Sequence, residues 1–574
     1  MGLEAKYEGV LEGTSGLTVT AKNARNTDLL YQYEQYYDAE NGSNLVLTLD
    51  TSVQTTLEKG LESMAEKFGA NNGATGTVLN VNTGAIVAMA SFPTYDLNDY
   101  GTVYDEKLKA AETAKLADIE KNRSQYESEE KYQEARAKVV SDTLNTQWRN
   151  KCIDSTYEPG STFTPITLAA ALEEGSINMN SAFNCTGSVK IGKWTIHCSR
   201  ASGHGHQTLE QAVGNSCNPA FIKIAQSVGA ETYYKYLQSF GLMEKTNVDM
   251  IGEVGGIFSS AQTLKNDPAA LASYSFGQTF NVTPLELIRA QAACINGGYL
   301  YEPYIVDQVL DDDGNIIQQH ESTPVRQVIS EETSAKVRQC LEFVVAKGTG
   351  KNGQVAGYRI GGKTGTADKT GTKDVVVSFM CFAPADDPQY IMLLTMDTPS
   401  RNTGTYVSGG NMVAPTASRI MAEILPDLGI EPDYSADELV GADAAVPNTV
   451  KLSLADAKAK LAGAGFTCRT VGSGDTVTDL TPVGGAIVPN NASVLLYLGT
   501  ENPDQTCTVP NVMGLTASEA NKALTNAGLI MKVAGATGSS SGNVHAISQS
   551  QPAGAELAAG SVVTVQFGDS SVLD

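Results

Sequence analysis

The hydrophobic and polar positions of the chain first form a regular pattern at residue 45. Residues 1–44 are polar and rich in turn-forming residues. Apolar and polar residues then alternate over 45–50, which predicts a strand, and residues 53–68 follow a helical spacing. Residues 76–91 hold two β-branched runs that meet at Asn82-Thr83-Gly84, a combination that predicts a β-hairpin.

A long stretch without glycine or proline follows over residues 104–147, and it is rich in Lys, Glu, Ala and Gln. This composition predicts a solvated surface helix or helix pair. Residues 148–300 are predicted to be mostly helical. Strands return at 358–360, 375–382 and 390–395, and these would share one sheet. Strands early and late in the chain, with helices between them, indicate an α+β domain.

The last part of the chain contains an internal repeat. Ala, Gly, Asp and Pro dominate after residue 428, which indicates a linker at 429–445. Val446-Pro447-Asn448 then recurs as Val509-Pro510-Asn511, 63 residues later. Each copy continues with helix-forming residues, a Pro-x-Gly turn and a β-branched run, so we predict two small αβ modules in tandem.

The amino-acid composition and net charge indicate a globular protein and disfavour some classes of binding partner. Hydrophobic residues make up 41% and charged residues 18% of the 574 residues, which is typical of globular protein. The formal net charge of −24 disfavours nucleic acid and anionic lipid as partners, since both attract clustered Lys and Arg. No apolar run is long enough to span a bilayer and no signal peptide is evident. The chain is therefore expected either to be cytoplasmic or to lack a leading anchor.

The first of three short motifs is Tyr157-Glu-Pro-Gly160-Ser161-Thr-Phe-Thr164. Pro159 and Gly160 predict a turn, and the residues after Ser161 predict a helix. Ser161 would therefore lie at a helix N-terminus, where free N–H groups favour an oxyanion beside its hydroxyl. The competing interpretation is an ordinary serine N-cap.

The other two motifs are Ser216-Cys217-Asn218 and Gly361-Gly362-Lys363-Thr364-Gly365-Thr366. The first can present a hydroxyl and an amide to a substrate. The second offers a fixed positive charge and two hydroxyls for a carboxylate, with a glycine that admits a ligand backbone. Residues 357–364 also match the pattern of a phosphate-binding loop. That loop requires a following helix, whereas this chain continues into a β-branched strand.

A cluster of metal-binding residue types surrounds the second motif. Cys185, Cys198, His204 and Cys217 lie within 33 residues, and three thiolates with one imidazole suit tetrahedral zinc. The competing interpretation is a set of unrelated buried cysteines. The nine cysteines, an odd number, do not indicate a disulfide framework. Because Cys217 lies inside the second motif, a structural zinc here would brace one wall of the predicted site.

Together these motifs resemble the class B penicillin-binding proteins, most closely the stage V sporulation protein D group. The resemblance covers nearly the whole chain and adds the landmarks Leu47-Thr-Leu-Asp50, Gly277-Gln278 and Val282-Thr-Pro284. It implies a transpeptidase domain at 45–428, with a central antiparallel sheet flanked by helices. Residues 446–500 and 506–569 resemble PASTA domains, and residues 1–44 resemble the end of an N-terminal pedestal.

The resemblance implies a D,D-transpeptidase that cross-links peptidoglycan stem peptides, is acylated by β-lactam antibiotics and needs no cofactor. Ser161 would be the nucleophile, Ser216 a proton relay and Asn218 the group that holds the substrate amide. The residues that would bind the donor substrate are Lys363, Thr364, Gly365 and Thr366. The expected location is the extracytoplasmic face of the bacterial cytoplasmic membrane, with an anchoring N-terminal helix that this chain lacks. Membrane proteins of division or sporulation would be its partners.

Position 164 departs from the family pattern. The family has Ser-x-x-Lys, in which the lysine lies one helical turn from the serine and takes its proton. Here the position holds Thr164. A threonine hydroxyl is no general base near neutral pH, and such a base is worth about 10²–10⁴-fold in rate.

The substitution leaves two functions open. One is a slow transpeptidase in which Lys363 acts through Ser216 as a substitute base. The other is a catalytically impaired relative that binds peptidoglycan or acts as a scaffold in division or sporulation. The tandem PASTA-like repeats disfavour a third function, a penicillin-sensing or penicillin-hydrolysing protein.

Overall fold

The structure is a computed structural model that describes residues 2–19, 35–355, 357–430, 443–489, 492–499, 506–535 and 544–569. Most of the linker predicted at 429–445 lies outside these ranges, as does part of the predicted pedestal remnant. Among the described helices, none combines the length and the apolar character that crossing a bilayer requires.

Helices are distributed along the whole described chain. The α-helices are, in chain order, α1 (Leu3–Lys6), α2 (Glu8–Leu11), α3 (Thr51–Phe68), α4 (Glu106–Lys121), α5 (Glu129–Gln147), α6 (Lys151–Asp154), α7 (Thr164–Glu173), α8 (Leu209–Gly214), α9 (Asn218–Val228), α10 (Ala230–Ser239), α11 (Ala261–Asn266), α12 (Pro268–Tyr274), α13 (Pro284–Ile295), α14 (Glu331–Lys347), α15 (Ala414–Asp427), α16 (Leu454–Gly463) and α17 (Ala517–Asn526). Short 3₁₀ turns lie at Leu97–Asp99, Arg123–Gln125, Gly160–Phe163 and Lys351–Gly353, and a π-helical turn lies at Gly409–Val413.

Strands form the central sheet of the large domain, several small sheets elsewhere in that domain, and the sheets of the C-terminal modules. They are β1 (Leu17–Val19), β2 (Gln35–Tyr37), β3 (Asn44–Leu47), β4 (Ala74–Asn80), β5 (Ile86–Phe92), β6 (Ala182–Cys185), β7 (Ser188–Ile191), β8 (Trp194–His197), β9 (Gly205–Thr208), β10 (Tyr299–Leu300), β11 (Val306–Leu310), β12 (Ile316–Gln319), β13 (Arg326–Gln327), β14 (Gly361–Asp368), β15 (Val375–Ala383), β16 (Tyr390–Asp397), β17 (Asp443–Ala445), β18 (Thr467–Gly472), β19 (Val477–Thr481), β20 (Ile487–Pro489), β21 (Ser493–Leu498), β22 (Thr506–Thr508), β23 (Ile530–Gly535), β24 (Val544–Gln549), β25 (Glu556–Ala558) and β26 (Val562–Asp569).

A five-stranded antiparallel sheet forms the centre of the large domain, in the order β14-β15-β16-β4-β5. Strands from the early and late parts of the chain meet where β16 pairs with β4, with Leu394 opposite Gly76. The prediction of one sheet built from both ends of the domain is therefore confirmed. The predicted hairpin over 76–91 is the β4–β5 pair.

Helices cover both faces of this sheet because successive side chains on each strand point to opposite sides. On one face, Val377 and Phe379 pack into a core with α3 and α15. On the other face, Met380 and Phe382 pack into a larger core with α7, α13 and α14. Strand β14 is one of the two edge strands of this sheet, and the candidate site lies along it.

Two predictions of local structure were wrong. The strand predicted at 358–360 begins instead at Gly361, so the Lys-Thr-Gly-Thr motif lies inside β14 rather than after a strand. The stretch predicted as mostly helical contains four strands of four residues each between Ala182 and Thr208. The long glycine-free stretch, in contrast, forms the predicted helix pair, α4 and α5.

Both copies of the C-terminal repeat fold in the same way. In the first, the strands have the order β18-β21-β19, and in the second the order β23-β26-β24. In each three-stranded sheet, the strand that comes last in the chain (β21 or β26) lies at the centre. It pairs parallel to the strand that comes first (β18 or β23) and antiparallel to the remaining strand (β19 or β24). One helix covers each sheet, α16 in the first and α17 in the second, as the repeat predicted.

Candidate active site

The loop that carries Ser161 is a 3₁₀ turn, Gly160–Phe163, which runs directly into α7. Proline at position 165 lies in the first turn of α7, so the tighter 3₁₀ geometry precedes it. Gly160 adopts a φ of 56°, a left-handed conformation that favours glycine, and its N–H donates to the carbonyl of Gly277 at 2.8 Å. Ser161 therefore lies at the start of a helix, as predicted.

This turn packs against strand β14. A Cβ added at Gly160 would lie 3.0 Å from the Cβ of Ala367 and 3.2 Å from the carbonyl oxygen of Thr366. A Cβ added at Gly365 would lie 3.0 Å from the Cγ2 of Thr162. The absence of these carbons allows the serine turn and the Lys-Thr-Gly-Thr strand to approach each other closely.

Lys363 and Ser216 join the second and third motifs. The Nζ of Lys363 donates to the Oγ of Ser216 at 2.8 Å and to the carbonyl of Thr364 at 3.0 Å. The lysine side chain is fully buried, and Ser216 adopts a φ of 50°, which is unusual for a residue with a Cβ. The three motifs therefore meet at one site on the edge of the sheet.

The remaining predicted site residues differ in their access to a ligand. Thr366 is half-buried, and its Oγ1 accepts from the N–H of Gly409 at 3.4 Å. Thr364 is fully buried, and its hydroxyl pairs with that of Thr349 at 2.8 Å. Asn218 begins α9, and its Nδ2 donates to the carbonyl of His197 at 3.2 Å.

Thr164 occupies the position at which the resemblance to the family predicts a lysine. The side chain is 1% exposed, and its Oγ1 donates to the carbonyl of Ser161 at 2.7 Å. This hydroxyl therefore caps the serine turn and offers no base. Within the described part of the chain, the hydroxyl of Ser161 makes no hydrogen bond of its own.

Family models assign the large domain and the repeat. Residues 74–422 match the penicillin binding protein transpeptidase domain, and residues 444–500 and 508–569 match the PASTA domain. The chain belongs to the penicillin-binding protein transpeptidase family. The phosphate-binding loop is excluded on geometry as well, because residues 361–364 lie within a strand of an antiparallel sheet rather than before a helix.

Curated relatives are class B penicillin-binding proteins. Stage V sporulation protein D from Bacillus subtilis (strain 168) is 34% identical over 516 residues, which are 88% of this chain and 72% of that protein. Penicillin-binding protein PbpB from Mycolicibacterium smegmatis is 28% identical over 440 residues, 74% of this chain and 61% of that protein. The chain thus spans about three fifths to three quarters of these relatives.

Solved structures show the same fold. Penicillin Binding Protein 2X from Streptococcus thermophilus matches 99% of this chain and 78% of its own with a TM-score of 0.57 and 22% identity. Penicillin binding protein 3 from Mycobacterium tuberculosis, complexed with ampicillin, matches 76% of this chain and 85% of its own, with a TM-score of 0.59 and 25% identity.

Beside Ser216, this penicillin-binding protein brings together the four predicted metal ligands. The Sγ atoms of Cys185, Cys198 and Cys217 and one ring nitrogen of His204 all lie within 4.8 Å of one another. The three cysteines are buried. Cys185 ends β6, Cys198 follows β8, His204 precedes β9 and Cys217 caps α9. The short strands that the sequence did not predict therefore assemble this cluster.

Hydrogen bonds inside the cluster favour a thiolate. A hydrogen bond from Cys217 lowers the pKa of Cys198 far below its ordinary value and raises that of Cys217. The same Cys198 sulfur, 3.4 Å from the Nδ1 of His204, raises the pKa of the imidazole. The side-chain amide of Gln207 acts in the opposite direction on the pKa of Cys217, but less strongly than Cys198 does. Three sulfurs and one imidazole nitrogen within 4.8 Å of one another fit tetrahedral zinc.

Sequence reasoning did not identify Thr349 or the turn Gly409–Val413 as parts of the site. Thr349 follows α14 and pairs with Thr364, and Gly409 contacts Thr366. A single polar residue in a loop carries no periodic signal. The Ser408-Gly409-Gly410 run could have marked a close backbone approach, because a Cβ at Gly409 would lie 2.1 Å from the carbonyl oxygen of Ser378.

Proposed function

We propose that this protein is a peptidoglycan D,D-transpeptidase that forms an acyl-enzyme at Ser161 and does so slowly because Thr164 replaces the lysine. The observation that carries the proposal is the Lys363–Ser216 hydrogen bond of 2.8 Å on the strand against which the serine turn packs. Relatives named peptidoglycan D,D-transpeptidase support the reaction, and the ampicillin complex supports β-lactams as inhibitors.

In the proposed reaction the Oγ of Ser161 attacks the carbonyl carbon of the penultimate D-Ala of a stem peptide. The C–N bond to the terminal D-Ala breaks, and that D-Ala leaves as an amine after taking a proton. An amine from a neighbouring stem peptide then attacks the ester, forms the cross-link and returns the proton to Ser161. Backbone N–H groups of Ser161 and Thr366 would stabilise the oxyanion in both steps.

The proton of Ser161 needs an acceptor, because Thr164 cannot take it. An uncharged Lys363 can accept it through the hydroxyl of Ser216, to which it is already hydrogen-bonded. Lys363, Thr364 and Thr366 would bind the donor carboxylate, with Asn218 holding the substrate amide. A relay through one more hydroxyl is a less direct path than an amine one turn away, which agrees with a slow enzyme.

A second candidate function is a pseudo-transpeptidase that binds stem peptides without turnover. The hydroxyl of Thr164 is engaged with the backbone of Ser161, and this observation favours it. The two candidates share the fold and the carboxylate-binding strand. They differ only in whether Ser161 is acylated.

Intact-mass measurement with a fluorescent penicillin separates the two functions. We expect slow formation of one covalent adduct on the wild type, none on Ser161→Ala, and adduct formation about 10²–10⁴-fold faster on Thr164→Lys. Thr164→Met is the matched control, since it supplies length without an amine and should stay slow. An adduct on Ser161→Ala would refute the nucleophile, and equal rates for wild type and Thr164→Lys would refute the missing base.

The cysteine cluster is proposed to hold a structural zinc through Cys185, Cys198, His204 and Cys217. When bound, zinc would fix four short segments and brace the wall that carries Ser216, without a role in acyl transfer. Metal analysis after dialysis against a mild chelator should find one zinc per chain, and Cys185→Ser should lower both zinc content and thermal stability. Cys468→Ser, outside the cluster, should change neither, and a wild type without stoichiometric zinc would contradict the site.

The proposed location is the extracytoplasmic face of the cytoplasmic membrane, where peptidoglycan stem peptides are present. Membrane proteins of division or sporulation are proposed as partners, and the similarity to stage V sporulation protein D supports the second of these. Crosslinking in cells that express the protein would test both proposals, and recovery of only cytoplasmic proteins would contradict them.

A further inference from the structure

The second PASTA module, which matches the family model over residues 508–569, buries polar residues against the transpeptidase domain. Gln566 and Asp569, near the end of β26, are 6% and 2% exposed. Polar side chains of a small module are usually solvated, and buried ones require partners. Here the partners belong to the large domain.

The contacts converge on two turns of the transpeptidase domain. The backbone N–H of Asp569 donates to the Oδ1 of Asn352 at 2.5 Å, and its carboxylate lies 3.4 Å from the Nζ of Lys351. The Nε2 of Gln566 donates to the carbonyl of Pro415, in the first turn of α15. The module is therefore held on residues 351–352 and at the junction of the π-helical turn with α15.

The first of these turns also contacts the active-site strand. Residues 349–353 connect α14 to the rest of the domain, and Asn352 is 2% exposed. Three residues before Asn352, the hydroxyl of Thr349 pairs with that of Thr364 at 2.8 Å, and both are buried. The turn 349–353 therefore contacts both partners: Asn352 binds Asp569 of the module, and Thr349 binds Thr364 of the Lys-Thr-Gly-Thr motif.

The second turn provides a separate connection. The Nδ2 of Asn352 donates to the carbonyl of Gly410 at 3.0 Å, and the N–H of the adjacent Gly409 donates to the Oγ1 of Thr366 at 3.4 Å. Gly409 also lies close to Gly365, since a Cβ added at Gly409 would lie 2.7 Å from the carbonyl oxygen of Gly365. We therefore expect a displacement of the turn Gly409–Val413 to shift Gly365 or Thr366.

We propose that the second PASTA module positions the Lys363–Thr366 strand of the active site through Asn352, which links Asp569 of the module to Thr364 by one turn and to Thr366 by the other. Asn352 is a positioning residue in this arrangement, because it touches neither substrate nor Ser161. The consequence for acylation rests on the proposed function, whereas the consequence for the strand does not. Release of the module should loosen β14 even in a protein that has no turnover.

Hydrogen–deuterium exchange on the full chain tests the inference without reference to activity. Gln566→Ala and Asn352→Ala should each raise exchange in peptides covering Gly361–Asp368 and Gly409–Val413 by about fivefold, the factor that one net hydrogen bond contributes to a local opening. The matched control is Asn521→Ala, an exposed amide on α17 of the same module, which should leave these peptides unchanged. Exchange in α13 should stay constant in all variants.

Measurements of penicillin binding and acylation test whether the module also affects the function of the active site. In the Thr164→Lys background, Gln566→Ala should weaken noncovalent fluorescent penicillin binding and slow acylation several-fold, while the unfolding temperature of the transpeptidase domain stays unchanged. Unaltered exchange at 361–368 in both variants would overturn the inference. Raised exchange with no acylation in any variant would refute the proposed function and leave the positioning role supported.

Discussion

Lys363 is a lysine whose side chain has no exposed surface, and a buried ammonium is costly unless it is hydrogen-bonded. Its partners include the hydroxyl of Ser216, which sits in a turn with a φ of 50°. A residue with a Cβ in this region costs about 1–3 kcal/mol, and such strain persists where the surroundings fix it. The strained turn and the buried lysine therefore support each other.

This pairing predicts strong coupling between the two side chains. In a double-mutant cycle of Ser216→Ala and Lys363→Met, we expect a coupling free energy of about 0.5–3 kcal/mol, the range that covers hydrogen bonds of both uncharged and charged groups. Chemical denaturation of the four proteins measures it. Pairing Lys363→Met with Ser330→Ala, on the distant cap of α14, gives the control cycle and should show additivity. Additive effects of Ser216 and Lys363 would contradict the pairing.

The motifs that carry Ser161, Ser216 and Lys363 could be predicted to lie together, and the structure brings them together. The contacts that surround these residues could not be predicted. The Thr349–Thr364 contact joins two residues 15 positions apart through hydroxyls alone, and no hydrophobic period marks it. Thr164 was recognised as a departure from Ser-x-x-Lys, but its use as a cap for the carbonyl of Ser161 depends on the 3₁₀ geometry of the turn.

At the scale of elements, the displaced start of β14 has a steric explanation. Glycine is weak in strands, so Gly361 and Gly362 lower the local propensity for a strand. In the structure, a Cβ at Gly361 would lie 2.2 Å from the Cζ of Phe382 on the paired strand, and a Cβ at Gly362 would lie 3.1 Å from the ring of Phe379. Large aromatic residues on β15 thus require glycine on β14, which local propensity does not reveal.

The short strands β6 to β9 were missed for another reason. Each has four residues, too few to show a period of two against neighbouring turns, and each pairs with a single partner strand. Of the four members of the cysteine and histidine cluster, three lie at the ends of these strands or just beyond them, and Cys217 caps α9. The positions of those four residues could be read from the sequence, but the short strands that bring them together could not.

Helix α13 begins with a capping box whose glutamate is buried, and this predicts a pH effect. Glu286 accepts from the N–H groups of Thr283 and Gly256, and burial raises its pKa from about 4.5 to about 7. The unfolded chain loses this proton near pH 4.5 while the folded chain keeps it until about pH 7. Stability from this group is therefore full below pH 4.5 and falls as the pH rises to 7, by about 3 kcal/mol.

Calorimetry at pH 5 to 8 would measure the effect as the difference between wild type and Glu286→Gln. The wild type should lose stability relative to the variant as the pH rises, and a constant difference would contradict the buried carboxyl. Glu519 provides the control, since it holds the same position in the capping box of α17 but is exposed. Hydrogen bonds from Thr516 lower the pKa of Glu519, so its contribution is lost as the pH falls instead.

At the scale of the whole molecule, the repeat predicted two modules and their common fold, because each copy encodes its own core. The docking of the modules was not predictable. The contacts of Gln566 and Asp569 with Pro415 and Asn352 join residues more than 150 positions apart, and each pairs one side-chain amide with a backbone group that every residue of the same kind would offer. A surface of this kind leaves little trace in the pattern of hydrophobic positions.

The second module also contacts the first, at a separate surface. Ile530, at the start of β23, is 6% exposed and belongs to the hydrophobic core of the first module. A Cβ at Gly560 would lie 2.5 Å from the Cγ2 of Thr481, so the two modules meet closely here as well. The second module thus lies between the first module and the transpeptidase domain, with different residues on each surface.

Separate surfaces predict that the two contacts can be broken independently. Ile530→Asp places a carboxylate in the apolar contact between the modules, where an unpaired charge is strongly unfavourable, and should release the first module. Small-angle scattering should then show a larger radius of gyration, while exchange in β14 stays as in the wild type because Gln566 and Asp569 keep the second module in place. Met513→Asp, which adds the same charge at a residue 45% exposed, should change neither quantity.

Two outcomes would contradict this prediction. A rise in β14 exchange with Ile530→Asp would show that the two surfaces act as one. An unchanged radius of gyration would show that Ile530 does not hold the modules together.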